Sequence, residues 1–217
     1  LIAACRCYNE LAGDTIYPVN RASYNRIAPA WDGARNTFGR ERKYFDAFLD
    51  GIPAPASFLD LGCGTGRPIA EHILSLGHRV TGVDQAEGLL ALARERFPQG
   101  RWIEARLEEY EPTERYAGVI CWDALFHIPR EAHEGILARA AGCLDSGGRL
   151  VLSVGGSEHP AFTDTMFGET FFYDSHPPER VLKILNALGF EPLVAEFMDL
   201  PTSGRDKGRF AIVAAKR

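Results

Sequence analysis

From Ser57 onward the chain alternates short β-type runs with helical runs, and this alternation restricts it to a parallel sheet with crossover helices. The β-type runs are Phe58–Leu61, Arg79–Val83, Arg101–Ala105, Gly118–Trp122 and Arg149–Val154. Between them lie helical runs at Pro68–Leu76, Gly88–Phe97 and Pro129–Leu144, the last with Ile136, Leu137, Ala140 and Leu144 on one face. Pro68 suits a first helical turn, and Gly77 suits the position just past a helix end. A Ser146-Gly147-Gly148 turn precedes the fifth strand, and the stretch from Gly155 to His176 reads as irregular. A helix over Pro177–Leu188 follows, with Val181, Ile184, Leu185 and Leu188 at helical spacing. The last two strands, about Phe190–Asp199 and Arg209–Ala215, are joined by Pro201–Gly208, a loop too short for a crossover, so they must be antiparallel. Ahead of the sheet, Ala22–Trp31 and Glu41–Asp50 read as helices. The expected organisation is one domain over 1–217, with a helical cap segment at 1–52 and a doubly wound α/β core at 53–217.

At 217 residues, 46% hydrophobic and 24% charged, the chain has enough apolar side chain for a real core and is not disordered or coiled-coil. Its net charge of −5, with seven basic and six acidic residues in the first fifty, leaves no basic arm, so nucleic acid is not an expected partner. Five cysteines form no disulfide framework, and Cys63, Cys121 and Cys143 sit in apolar or glycine-rich stretches, which implies a reducing, cytoplasmic compartment. Cys5 and Cys7 have no ligand at metal-binding spacing nearby, so no metal is expected. No run approaches the roughly 18 apolar residues of a membrane span, and Leu1–Cys5 is too short for a signal-peptide core.

The chemistry concentrates in Phe58-Leu-Asp60-Leu-Gly62-Cys63-Gly64-Thr65-Gly66, a buried strand that runs into glycines and then a helix. Such a turn lets a ligand approach the backbone closely, near the free N–H groups of a helix start. A dinucleotide fingerprint fails on spacing, because Arg67 or Ile69 stands where its last glycine belongs; a phosphate-binding Gly-Lys-Ser/Thr is absent. Asp84 closes the next strand 20 residues after Gly64, where an acidic side chain meets ribose hydroxyls. The ligand is therefore a nucleoside without a pyrophosphate.

With these residues, together with Val119-Ile-Cys-Trp-Asp-Ala-Leu-Phe-His-Ile-Pro129 and Leu144-Asp-Ser-Gly-Gly-Arg-Leu150, the chain resembles the class I S-adenosylmethionine-dependent methyltransferases, specifically small bacterial ones acting on small molecules. The resemblance implies a Rossmann-like seven-stranded sheet of order 3-2-1-4-5-7-6 with the last strand antiparallel. It also implies S-adenosyl-L-methionine held by Tyr24, Asp60, Gly62, Cys63, Gly64, Thr65, Gly66, Asp84, Gln85, Leu107, Glu108, Trp122 and Asp123. One departure stands out: Arg106 occupies the place of the usual Asp that accepts from the adenine amino group, and a guanidinium has no acceptor. Glu108 or the backbone near Leu107 is the expected substitute, while the other glutamates of 108–114 read as a solvated face.

Methyl transfer demands alignment above all, so a small-molecule acceptor needs a shaped site more than a base. His127 is the candidate base, its other reading being a histidine satisfied by a backbone carbonyl. Phe171, Tyr173 and His176, in an aromatic stretch after the fifth strand, are the candidate acceptor pocket. Tyr24 and Trp31 resemble the segment that folds over the cofactor in related enzymes, and a helix simply docked on the sheet is the alternative. Two other classes stay open: a non-catalytic adenosylmethionine-binding protein and an aminopropyl-type transferase.

Overall fold

The computed structural model of this chain describes residues 17–202 and 206–217, so Cys5, Cys7 and the first 16 residues of the expected cap lie outside the described residues. In chain order the elements are α1 (Tyr17–Ala34), α2 (Arg42–Leu49), β1 (Ser57–Leu61), α3 (Ile69–Ser75), β2 (Arg79–Asp84), α4 (Glu87–Arg96), β3 (Arg101–Glu104) and β4 (Tyr116–Cys121). They continue with α5 (His133–Cys143), β5 (Leu144–Gly155), β6 (Phe162–Met166), β7 (Glu169–Tyr173), α6 (Pro178–Ala187), β8 (Phe190–Asp199) and β9 (Arg209–Lys216). Seven strands form one sheet of order β3-β2-β1-β4-β5-β9-β8, and β6 pairs with β7 alone. The neighbours from β3 to β5 are parallel, whereas β9 runs antiparallel to both β5 and β8. This is the order and sense expected from the motifs and the short final loop, and it is the Rossmann-like methyltransferase fold.

The period-two alternation of the strands divides the core into two layers. Leu59, Leu61, Val119, Leu150 and Leu152 face α5 and α6, meeting Ile136, Leu137, Val181 and Ile184. Phe58, Val80, Ile120, Val151 and Val213 face the other way, onto Tyr44, Phe45 and Phe48 of α2 and onto α3 and α4. Each buried large side chain contributes roughly 1.5–3 kcal/mol, so α2, with three of its eight residues buried, is held by its apolar stripe. That layering leaves the carboxyl ends of β1, β2 and β4 at one edge, where a doubly wound sheet binds ligands.

Three segments differ from the sequence reading. The first helix runs from Tyr17 to Ala34 instead of Ala22–Trp31. The helix expected from Pro129 begins at His133, after two single 3-10 turns, and the Ser146-Gly147-Gly148 turn is absorbed into β5 where its register with β4 shifts. The segment read as irregular holds the β6–β7 hairpin. Its two-residue turn is Phe167-Gly168, both at positive φ, +50° and +80°. Asn-Gly or Asp-Gly ordinarily announces such a turn, and a phenylalanine in the left-handed region carries no such signal.

Candidate active site

Tyr24 and Trp31 of α1 join the ends of β1, β2 and β4 around one cleft, which encloses about 800 Å³ out to its open mouth. Of the predicted cofactor residues, Tyr24, Asp60, Gly62, Cys63, Gly64, Asp84, Gln85, Leu107, Glu108, Trp122 and Asp123 line it, and so does His127. Thr65 and Gly66 do not. Thr65 is buried, and a Cβ on Gly66 would lie 3.0–3.1 Å from the rings of Phe97 and Trp102, so the bareness of that glycine accommodates close packing of those rings.

The glycine turn is built by the backbone of the neighbouring strand. Val83 accepts from the N–H groups of Gly62 and Cys63 at 2.8 and 3.1 Å. Gly62 sits at φ +82°, and a Cβ there would come within 2.3 Å of the Ala124 Cβ, so its bareness accommodates the segment after β4. Gly64, at φ +56°, is different: a Cβ would have nothing nearer than Trp31 Nε1 at 3.7 Å and would occupy cleft space. The Gly64 N–H donates to Asp84 Oδ2, and the Ala86 N–H donates to Oδ1, both at 2.9 Å. Each carboxylate oxygen thus keeps further acceptor capacity. Burial pushes the Asp84 carboxyl up and the backbone donors pull against it. Asp60, only 2% exposed, is raised to about 7, first by burial and then by the Asp84 charge. Burial also raises the Cys63 thiol well above its ordinary value, which makes it an inert lining group.

At the methionine end of the expected ligand, Asp123 adopts φ +50° and is fixed by Ser153, whose Oγ accepts from its N–H at 2.8 Å and donates to its Oδ1 at 2.9 Å. Arg209 and Arg35 flank the carboxylate at 3.2 and 3.5 Å. Trp122 lines the cleft and packs its ring against Tyr44 and Phe45, with its indole N–H buried and unpartnered. Arg35 and Leu89 also line the cleft and were not anticipated. The signal for Arg35 was present, because Tyr24, Trp31 and Arg35 fall on one helical face at i, i+7 and i+11.

Arg106 does not reach the cleft lining; it pairs with Glu109 at 2.8 Å and with Glu108 at 3.4 Å. Glu108 is nearly covered, whereas Glu109, Glu111 and Glu114 are exposed as expected. The carbonyls of Leu107 and Glu108 are pinned by Arg139 Nη2 at 3.0 and 2.9 Å. From the sequence alone, Arg106→Asp would be expected to improve adenine recognition. With Arg106 as the cation that holds Glu108, we expect the reverse: the variant crowds carboxylates together and should bind adenosyl ligands about two- to tenfold more weakly by calorimetry. Tighter binding would mean that the position faces the adenine edge after all.

His127 is committed at both nitrogens. Phe172 O lies 3.0 Å from Nδ1 and can only accept, so Nδ1 carries the proton; Nε2 then accepts from the Tyr24 hydroxyl at 2.9 Å. Burial pushes the imidazole down to about 4. The candidate acceptor residues separate: Phe171 is fully buried behind Tyr24, ring to ring at 4.8 Å. His176 packs against His133 at 5.6 Å, away from the cleft. Tyr173 lines an adjoining cavity. Phe171 and Tyr173 lie on the same side of β7, so strand alternation does not separate them; the Tyr24 ring packs on Phe171, and His176 lies beyond the end of the hairpin.

A family model described as a methyltransferase domain matches residues 58–148, which hold the glycine turn, Asp84, Asp123 and His127. Over these residues the chain matches a methyltransferase domain. Among curated relatives of this domain, the trans-aconitate 2-methyltransferase of Acidovorax sp. (strain JS42) is 30% identical over 103 residues, 47% of this chain and 39% of that protein. The ubiquinone biosynthesis O-methyltransferase of Hydrogenovibrio crunogenus is 29% identical over 147 residues, 63% of this chain and 60% of that protein. The chain thus spans less than two thirds of the length of these relatives. By fold, the chain is similar to magnesium protoporphyrin IX methyltransferase from Synechocystis PCC 6803 with bound SAH, at TM-score 0.71 and 20% identity over 93% of this chain and all of that one. It is also similar to the 1,6-didemethyltoxoflavin-N1-methyltransferase of Burkholderia thailandensis, at TM-score 0.69 and 22% identity over 92% of this chain and 88% of that one. Among the described residues no helix is long and apolar enough to cross a membrane.

Proposed function

We propose that this chain transfers a methyl group from S-adenosyl-L-methionine to an O, N or C nucleophile of a small molecule. The observation that carries this reading is the cleft in which the bare Gly64 backbone and the Asp84 carboxylate stand side by side, one at the end of β1 and one at the end of β2. Bound there, the cofactor supplies a methyl group activated on a sulfonium. Asp84 accepts from the ribose hydroxyls, the pinned Leu107–Glu108 backbone meets the adenine, and Asp60, Trp122 and Asp123 hold the methionine end. Tyr24 and Trp31 cover the cleft and exclude water. The domain organisation we favour is a single unit, with the 1–52 segment acting as the cap of the 53–217 core. The buried free thiols of Cys63, Cys121 and Cys143 support a reducing, cytoplasmic setting.

The test is incubation of the purified protein with methyl-labelled cofactor and a panel of small phenols, amines and carboxylic acids, with product analysis by mass spectrometry. A methylated product supports the reading. Binding without any transfer would favour a non-catalytic adenosylmethionine-binding protein, and an unlabelled product heavier by a 3-amino-3-carboxypropyl group, with the labelled methyl left on methylthioadenosine, would favour the aminopropyl-type transferase.

Within this reading His127 orients Tyr24 and does not act as the base, since an imidazole held near 4 is a weak proton acceptor at neutral pH. We expect His127→Gln to retain single-turnover rate to within about tenfold, and the rate of the wild-type protein to show no limb near the ordinary imidazole value of about 6.5. A loss of about 10²- to 10⁴-fold with unchanged cofactor affinity would make His127 the base.

A further inference from the structure

Phe126 and His127 are consecutive on one 3-10 turn, Leu125–His127, yet they serve different spaces. His127 lines the cofactor cleft, while Phe126 lines a second cavity of about 960 Å³, measured to its open mouth, between the β6–β7 hairpin and the start of β9. The two spaces share a wall. Tyr173 of the second cavity lies 4.7 Å ring to ring from His127, and Arg209 of the second cavity reaches Asp123 of the first at 3.2 Å.

Three rings give the second cavity its character. Phe162 and Tyr173 stack at 5.3 Å with 14° between planes, and Phe126 lies 6.2 Å from Tyr173 at 25°. All three are half-buried, whereas Phe171 and Phe172, the residues just before Tyr173 on β7, are buried in the core. Nearly parallel rings stacked on one another and left partly open around one cavity form an aromatic stack that a flat ligand can extend. The charged side chains nearby are already matched. Arg209 is held by Asp199 at 2.7 Å as well as by Asp123, and Asp174 by Arg130 at 2.6 Å. Asp206 accepts from the Gly208 N–H at 2.8 Å, and Lys207 and Asp164 have partners of their own. Among the described residues lining this cavity, the cations Arg209 and Lys207 thus already have partners.

We propose that this cavity is the acceptor site and that it takes uncharged planar ring compounds, held by stacking on Tyr173, Phe162 and Phe126 and not by ion pairing. The inference rests on the methyl-transfer reading and narrows it to a substrate class. Recognition by ring faces favours a planar compound over a saturated one of equal size, because a puckered ring touches the slab with fewer atoms.

The test is calorimetric titration of the protein saturated with S-adenosylhomocysteine, using 2-naphthol, decahydro-2-naphthol and tricarballylate as probes. We expect 2-naphthol to bind at least tenfold more tightly than the saturated alcohol, and tricarballylate to bind more weakly than either. Phe162→Leu and Tyr173→Leu, which keep bulk but remove the ring face, should each weaken 2-naphthol about two- to tenfold. Affinity for S-adenosylhomocysteine should be unchanged in the Phe162→Leu protein, which also reports that this variant is folded. Equal binding of the planar and saturated alcohols, tightest binding of tricarballylate, or full 2-naphthol affinity in both leucine variants would overturn the substrate class while leaving the methyl-transfer reading in place. Failure of the wild-type protein to bind S-adenosylhomocysteine would overturn both.

Discussion

Replacing Asp84 with alanine is expected to weaken binding of S-adenosylmethionine and S-adenosylhomocysteine by about 10- to 150-fold, the worth of hydrogen bonds to one charged group. The carboxylate is only 9% exposed, and each of its oxygens accepts one backbone N–H, from Gly64 and Ala86. Its remaining acceptor capacity is what a pair of ribose hydroxyls requires. Alanine also strands the Gly64 N–H at the edge of the cleft, so the turn that approaches the ligand loses its tether. Isothermal titration of both ligands settles the matter, with thermal unfolding of the ligand-free variant as the control for structure. An affinity within threefold of the parent would mean that Asp84 only caps the start of α4. Binding of NAD by the parent protein would sink the nucleoside reading altogether.

The second large effect is on pH dependence. Asp60 is raised to about 7, so its ionised fraction climbs from about 0.1 at pH 6 to about 0.75 at pH 7.5. A sulfonium keeps its positive charge over that range, and an ionised Asp60 attracts it while a protonated one does not. We expect affinity for S-adenosylmethionine to rise about eightfold from pH 6 to 7.5, and Asp60→Asn to flatten the dependence. The ligand-free protein should show the opposite trend. A carboxyl whose folded pKa lies above its unfolded value contributes stability at low pH and loses it as pH rises through about 7. Asp60→Asn should therefore raise Tm at pH 8 by a few degrees while weakening the cofactor, which is the usual sign of a group kept for binding at the expense of stability. A pH-independent affinity in the parent would show that Asp60 stays ionised or stands too far from the cationic centre.

The parallel core was legible because its strands are buried on both faces and bounded by glycines and helix signals, and the antiparallel end followed from a loop too short to cross over. The glycine turn and Asp84 were legible for a related reason, since a backbone that must turn and approach a ligand leaves glycine at fixed spacing. What escaped depends on side-chain direction and local turns. Gly66 looked like part of the ligand cradle, but its neighbours Phe97 and Trp102 come from distant segments that spacing does not reveal. Arg106 was read by alignment to a motif, which says nothing of its ion pair with the exposed Glu109 three residues on. The hairpin was missed because Phe167 gives no turn signal, and the burial of Phe171 beside Tyr173, which opens onto a cavity, comes from the Tyr24 ring of a distant segment that spacing does not reveal.

Asn20 of α1 bonds the hairpin as a strand would. Its side-chain oxygen accepts from the Phe172 N–H at 2.7 Å, and its side-chain nitrogen donates to the Phe172 carbonyl at 3.0 Å and to His127 O at 3.0 Å. One amide thus reproduces both halves of a β-ladder rung on β7, and Ser23 adds a bond to Thr170 O one turn along. On its other flank the same helix meets the Gly88 N–H through Asn25 and Arg96 through Asp32. A helix stitched in this way cannot rise from the nucleoside side without dragging the rim of the neighbouring cavity with it. Lifting this helix to admit a ligand on one side would therefore also break the bonds that hold the rim of the other.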